Sequence, residues 1–271
     1  MLSIENLSVD YYRRGQIISA VRNLSLSINP GEAVGLVGES GSGKSTVALA
    51  ILRLIRPQEG HISSGKINFQ GEDLLALPYE RMRAVRGKRI SMIFQDPFTA
   101  LNPVMRIREQ MKEIGVRDEG RVTSPIHERP SSLVSHRSSI DDVLERVQLD
   151  PVRILNAYPH QLSGGQRQRV MIAMALLGNP ELILADEPTT ALDTLVQKDI
   201  LDLLFRLQKQ LNIGMLFISH NLSLVASHTQ RMAIMKAGAI VELGRTLDIV
   251  SHPAHPYTKQ LWEAIPRFSE R

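Results

Sequence analysis

An α/β core built on a parallel sheet is predicted by three features of this sequence. Short apolar runs at Leu182–Ala185 and Gly214–Ser219 bracket a long periodic stretch, Thr194–Leu211, giving strand, helix, strand order. Both runs are continuously apolar, as strands buried on two faces must be. A third run, Glu32–Val37, leads straight into a glycine-rich loop, and helical character follows over Lys44–Ile55.

The remaining elements follow in chain order. Ile4–Val9 and Val21–Ile28 read as strands, the second placing Leu24, Leu26 and Ile28 on one face. Asn29-Pro30-Gly31 is a turn. Residues 65–69 and 89–94 are further strands, and from about Pro97 to Gln168 the pattern becomes helical and irregular. Within that span, residues 115–139 are rich in Gly, Ser, Pro and charge, the composition of a mobile or variable loop. Arg231–Met235 and Ala239–Leu243 form a hairpin around Lys236-Ala237-Gly238, and the tail from His252 ends in a helix at Pro256–Ile265. There is no internal repeat.

Composition narrows the function. The 271 residues suffice for one large domain or two small ones, and 43% hydrophobic with 22% charged residues is the balance of a globular chain. With 4% aromatics and one Trp, a nucleic-acid platform of stacked rings is disfavoured. The net charge of +4 is mild and fits a phosphate-rich ligand or an anionic surface nearby. Without cysteine, thiolate metal sites, iron–sulfur clusters and cysteine nucleophiles are excluded, which fits a reducing compartment. The start, Met1-Leu2-Ser3-Ile4-Glu5-Asn6, lacks signal-peptide character, and no window approaches the roughly 20 apolar residues of a membrane helix. Any membrane role is therefore expected to come through a partner.

Gly38-Glu39-Ser40-Gly41-Ser42-Gly43-Lys44-Ser45, followed by Thr46, matches G-x-x-x-x-G-K-[ST] between a strand and a helix. Glycines let the backbone curl so that successive N–H groups converge on one anion, and the following helix aims its positive end at the same point. Lys44 is expected to reach the β- and γ-phosphates of a nucleotide, and the Ser45 hydroxyl to ligate Mg²⁺. Leu182-Ile183-Leu184-Ala185 ends in Asp186-Glu187. Because a strand alternates faces, the two acids are expected to point apart. Asp186 suits the Mg²⁺ shell, directly or through water. Glu187 suits an attacking water, whose proton it abstracts or whose position it fixes.

Leu162-Ser163-Gly164-Gly165-Gln166, before a helix at Arg167–Leu177, resembles the signature of nucleotide-binding subunits of ATP-binding cassette (ABC) transporters. The resemblance covers about residues 1–245. It implies a P-loop NTPase (RecA-like) core carrying an N-terminal antiparallel β subdomain and an inserted helical subdomain at about 97–168. It also implies ATP and Mg²⁺ as cofactors. Ser163, Gly164, Gly165 and Gln166 would cap the γ-phosphate of ATP held by a second cassette, the same chain or a related one. Gln95 matches the glutamine that touches Mg²⁺ and water, Asp193 a loop that crosses the dimer interface, and His220 the γ-phosphate histidine. Tyr11 matches the aromatic that stacks on adenine, with Tyr12 as the alternative. The implied partners are two transmembrane permease subunits and an extracytoplasmic solute-binding protein, with this chain peripheral on the cytoplasmic face of the membrane.

Three stretches resemble the oligopeptide, dipeptide and nickel importer branch: Gln95-Asp96-Pro97-Phe98-Thr99-Ala100-Leu101-Asn102-Pro103, Tyr158-Pro159-His160-Gln161, and His255-Pro256-Tyr257-Thr258 with Ala264-Ile265-Pro266 in a tail over 246–271. The cargo implied is a peptide, nickel, or a metal-chelate or opine-type solute. Many members of that branch carry a cysteine-rich extension that this chain lacks, and residues 115–139 also depart from the branch. His252 and His255 suggest a metal site, but a proline-rich loop accounts for them more simply. A cassette ATPase acting on nucleic acid is the main rival; it is disfavoured because no coiled-coil insertion or cysteine-rich module interrupts the chain. A non-transport nucleotide switch is the other.

Overall fold

The computed structural model describes residues 1–13, 15–115, 139–190 and 192–264. The expected loop at 115–139 therefore lies almost wholly outside the described residues, as does the chain from Ile265 onward.

The chain opens with a long hairpin, β1 (Leu2–Arg13) and β2 (Gln16–Ile28), longer than the apolar cores at 4–9 and 21–28. Apart from the buried Leu2, the extra residues are polar or at least partly exposed, so they lack the alternation that marks a strand. Next come β3 (Ala33–Val37) and α1 (Lys44–Ile51). This helix stops short of Ile55 because Arg53 takes φ 50° and leaves the helical region. Then follow β4 (Gly60–Phe69), β5 (Glu72–Asp73), α2 (Tyr79–Val85) and β6 (Ile90–Ile93). A helical stretch holds α3 (Pro97–Ala100), α4 (Ile107–Gly115), α5 (Ile140–Arg146), α6 (Pro151–Asn156) and α7 (Gly164–Leu176), with a 3₁₀ turn at Pro159–Gln161. The last part comprises β7 (Leu182–Asp186), α8 (Thr194–Gln210), β8 (Gly214–Ser219), α9 (Leu222–His228), β9 (Arg231–Lys236), β10 (Ala239–Arg245), α10 (Thr246–Ser251) and α11 (Pro256–Glu263).

Two sheets organise these elements. One is antiparallel, in the order β2-β1-β4-β5; the other runs β10-β9-β3-β8-β7-β6, parallel from β9 to β6 with β10 antiparallel at the edge. The second sheet separates two cores, and its strands feed both. Ala33 and Val37, Ile183 and Ala185, Met215 and Phe217, and Met232 and Ile234 face the core shared with the helices from α4 onward. Their neighbours Val34 and Leu36, Leu182 and Leu184, Leu216 and Ile218, and Ala233 and Met235 face the core shared with α1, α2 and the antiparallel sheet. Period-two alternation across two buried faces is why these strands read as unbroken apolar runs.

Gly35, in the middle of β3, is where α9 crosses closest. A Cβ there would lie 2.0 Å from Val225 Cγ1 and 3.2 Å from Thr229 Oγ1. Gly35→Ala is accordingly expected to cost about 1–3 kcal/mol through overpacking, read as a lower midpoint in thermal unfolding.

Candidate functional site

Four parallel strands that are neighbours in the sheet, β3, β8, β7 and β6, deliver the site's residues and loop from their C-terminal ends. This is the edge of an open α/β sheet at which ligands bind, because loops there connect outward while the strands stay rigid. After β3 comes the loop at 38–45, after β6 Gln95, after β7 Asp186 and Glu187, and after β8 His220.

The loop owes its shape to its glycines and to close packing. Gly43 takes φ +101°, and a Cβ there would lie 2.2 Å from the Ala20 carbonyl oxygen on β2. Gly41 takes φ +79° with nothing within 4 Å of a would-be Cβ, so the loop tip is open. Glu39 and Ser40 are exposed beside it, whereas Ser42 and Thr46 are buried. Gly43 caps α1 without a side chain, so the first-turn amides at Lys44, Ser45 and Thr46 are left for an outside acceptor.

The Lys44 ammonium is buried and donates to the carbonyls of Gly38 at 2.7 Å and Glu39 at 2.8 Å. Burial lowers its pKa, partly offset by the charges of Glu187, Asp186 and Glu39. Such a donor set fits a polyanion: converging amides, a helix N-terminus and a desolvated cation with flexible reach.

Asp186 is buried at the end of β7, and its Oδ1 accepts from Ser45 Oγ at 3.0 Å. Burial raises its pKa most, and the Ser45 hydrogen bond opposes that. One carboxylate beside one hydroxyl matches how Mg²⁺ is held, with few protein ligands and the rest from water and phosphate oxygens. Among the described residues no group of three or more His, Cys, Asp or Glu could hold a metal alone. His252 and His255 form no such site. His255 Nδ1 accepts from the Tyr257 N–H at 3.1 Å as the cap of α11, and His252 Nδ1 lies 3.1 Å from Ser251 Oγ.

Glu187 diverges from Asp186 as expected, but strand alternation is only part of the reason. It lies just past β7 with φ 45°, a left-handed conformation uncommon for a non-glycine residue. The bend brings three side chains to one oxygen. Glu187 Oε2 accepts from Gln95 Nε2 at 3.2 Å and Thr190 Oγ1 at 3.0 Å, and lies 3.1 Å from His220 Nδ1. Thr190 carries no motif and the sequence reading passed over it. Glu187 is mostly shielded while His220 is about half exposed, so the trio opens toward solvent on the histidine side.

The signature residues form a second cluster. Ser163 and Gln166 make a capping box on α7, with Gln166 N–H to Ser163 Oγ at 3.2 Å and Ser163 N–H to Gln166 Oε1 at 3.1 Å. Cβ atoms on Gly164 and Gly165 would meet Leu192 at 3.1 Å and Val196 at 2.9 Å. The glycines thus let α7 begin flush against the start of α8. There Asp193 Oδ1 accepts from the Val196 N–H at 3.0 Å as the helix cap.

Tyr11 is half-buried against the antiparallel sheet's core and packs on Gly60, where a Cβ would lie 2.8 Å from its Cδ1. Tyr12 is exposed, with its ring stacked on His61 and its hydroxyl 2.9 Å from His61 Nδ1. The strand beside them, β2, is the one whose Ala20 abuts Gly43.

The ABC transporter family model matches residues 21–190. The chain belongs to the ABC transporter family. A second model, the oligopeptide/dipeptide transporter C-terminal region, matches residues 241–271. Among relatives, the uncharacterized ABC transporter ATP-binding protein YejF of Escherichia coli K12 is 46% identical over 98% of this chain and 49% of its own length. The oligopeptide transport ATP-binding protein OppD of Bacillus subtilis is 42% identical over 98% of this chain and 72% of its own. A putative peptide import ATP-binding protein of Brucella ovis is 44% identical over 100% and 79%. The chain thus spans about half the length of YejF and more of the others. The dimeric ATP-binding cassette MJ0796, in a post-hydrolysis state with ADP and phosphate, superposes with TM-score 0.74 at 28% identity, covering 91% of this chain and 99% of that one. An ABC cassette binds ATP, and the loop, lysine and helix terminus described above are the parts of this one that fit it.

Proposed function

We propose that this chain is the ATP-hydrolysing subunit of an ABC importer for peptides. One observation carries the reading most: a shielded carboxylate, Glu187, gathers Gln95 and His220 beside a desolvated lysine and a Ser45–Asp186 oxygen pair. The peptide cargo rests on the relatives' names and on the C-terminal region match. Nickel, metal-chelate and opine-type solutes lack that support.

In this reading the amides of Gly41 and Gly43 and the α1 terminus would hold the phosphates, while Lys44 leaves its two carbonyls to reach them. Ser45, Asp186 and Gln95 would hold Mg²⁺, which when bound would supply charge neutralisation at the phosphate oxygens. Glu187 orients the attacking water or takes its proton, and His220 stabilises charge at the outer phosphate. Tyr11 takes the adenine face. Ser163, Gly164, Gly165 and Gln166 of a second cassette close the site from the far side, with Asp193 at the seam. ATP then bridges two chains, and loss of its γ-phosphate lets them separate. The ATPase unit spans residues 1–245, the helical subdomain about 97–168 and the tail 246–271.

No helix among the described residues is long and apolar enough to cross a membrane. In this reading the path for cargo is formed by two separate permease subunits, with a solute-binding protein outside and this chain peripheral on the cytoplasmic face. Purification in mild detergent tests the assembly: permease subunits should co-purify, and Mg²⁺-dependent ATP hydrolysis should rise with them. Hydrolysis at full rate by a strictly monomeric chain would refute it.

A further inference from the structure

The C-terminal tail grips the nucleotide loop. Tyr257 on α11 is buried, and its hydroxyl accepts the Glu39 N–H at 3.3 Å, bridging 218 positions of sequence. The ring lies 4.4 Å from Lys236 Nζ at the end of β9. The tail is tied to the other strand of that hairpin: the Glu242 carboxylate accepts the N–H groups of Ala254 at 2.9 Å and His255 at 3.0 Å. The hairpin turn also reaches the loop, since the Gly238 N–H donates to the Ser42 carbonyl at 3.0 Å.

The Tyr257 hydroxyl lands on one peptide plane, the link between Gly38 and Glu39. Its carbonyl accepts from Lys44 Nζ, and its N–H donates to Tyr257. Rotation of the plane would break both bonds. When Lys44 turns toward phosphate its hold on the carbonyl is released, and the hydroxyl of Tyr257 then fixes the plane from the N–H side. The loop base passes close against β9 here, since a Cβ on Gly38 would lie 2.1 Å from the Met235 carbonyl oxygen.

We infer that Tyr257 is a positioning residue for ATP binding, holding the base of the loop so that the open tip at Ser40 and Gly41 is presented in one conformation. This rests on the reading of residues 38–45 as the ATP loop. The gain is preorganisation, which appears in affinity for the nucleotide more than in the chemical step.

Tyr257→Phe tests it, because the ring stays in the core and beside Lys236 while the hydroxyl is lost. ATP affinity, read with a trinitrophenyl-ATP probe, and the KM for ATP should each weaken about threefold to tenfold, the range of one hydrogen bond. The kcat at saturating ATP should stay within about twofold, and the Glu39 amide should exchange with deuterium faster than in the parent. Glu242→Gln, which loosens the tail without touching the loop, should shift KM in the same direction. An unchanged KM and amide exchange rate in Tyr257→Phe would overturn the inference while leaving the ATP site intact. Failure of the parent chain to bind the probe would overturn both.

Discussion

Glu187→Gln yields a protein that holds ATP and closes with a second cassette but turns over at least a hundredfold more slowly. A positioned general base contributes about 10²–10⁴ in rate, and the amide can neither take the proton nor attract it. The substitution is close to isosteric, and glutamine adopts the φ 45° backbone at this position with no greater difficulty than glutamate. Three donors now meet an amide oxygen, which still accepts hydrogen bonds, so the pocket stays assembled. Kd for ATP should remain within a few-fold of the parent. Mg²⁺-ATP should drive the variant to twice the monomer mass in size-exclusion chromatography with light scattering. Steady turnover near the parental rate would remove Glu187 from its assigned role.

Lys44→Ala should lose ATP binding about tenfold to a hundredfold, the range of one or two hydrogen bonds to a charged group. Titration with labelled nucleotide checks this. A second effect concerns pH. Burial lowers the Lys44 pKa, so between its folded pKa and the ordinary lysine value the unfolded chain binds the extra proton. Unfolding then becomes less favourable as pH rises through that window. The parent should gain stability relative to Lys44→Ala over that alkaline range in nucleotide-free chemical denaturation. A pH-independent difference between the two would show that the lysine titrates normally in the folded protein.

What the sequence disclosed followed the physics of burial. β8 matched its expected bounds, and β3, β7 and β9 each differed by one residue, because strands covered on both faces cannot hide polar residues; the edge strand β10 ran two residues further than expected. Ala237 and Gly238 both take positive φ in the hairpin turn, and of the two only the glycine signals it in the sequence. The helices α2, α9 and α10 escaped notice because at six or seven residues each they show barely two turns of any period.

The site divided along the same line. Residues within a contiguous motif, such as Lys44, Ser45 and the Ser163–Gln166 box, were legible from spacing. Thr190 and Tyr257 were not, since the first gains its role only through the bend at Glu187 and the second through a contact across almost the whole chain. The tail motif around Tyr257 was visible, but its partner was not. Asp193 had a local signal that could have been used: an Asp directly before an apolar periodic stretch is a helix cap.

The threonines after β7 carry a further consequence. Thr190 holds the carboxylate of Glu187, and Thr189 takes a hydrogen bond from Gln197 of α8, 3.0 Å away. The same helix leans its Val196 on Gly165. In the proposed function, α8 would thus offer a physical route between the acid and the residues assigned to cover the opposite nucleotide.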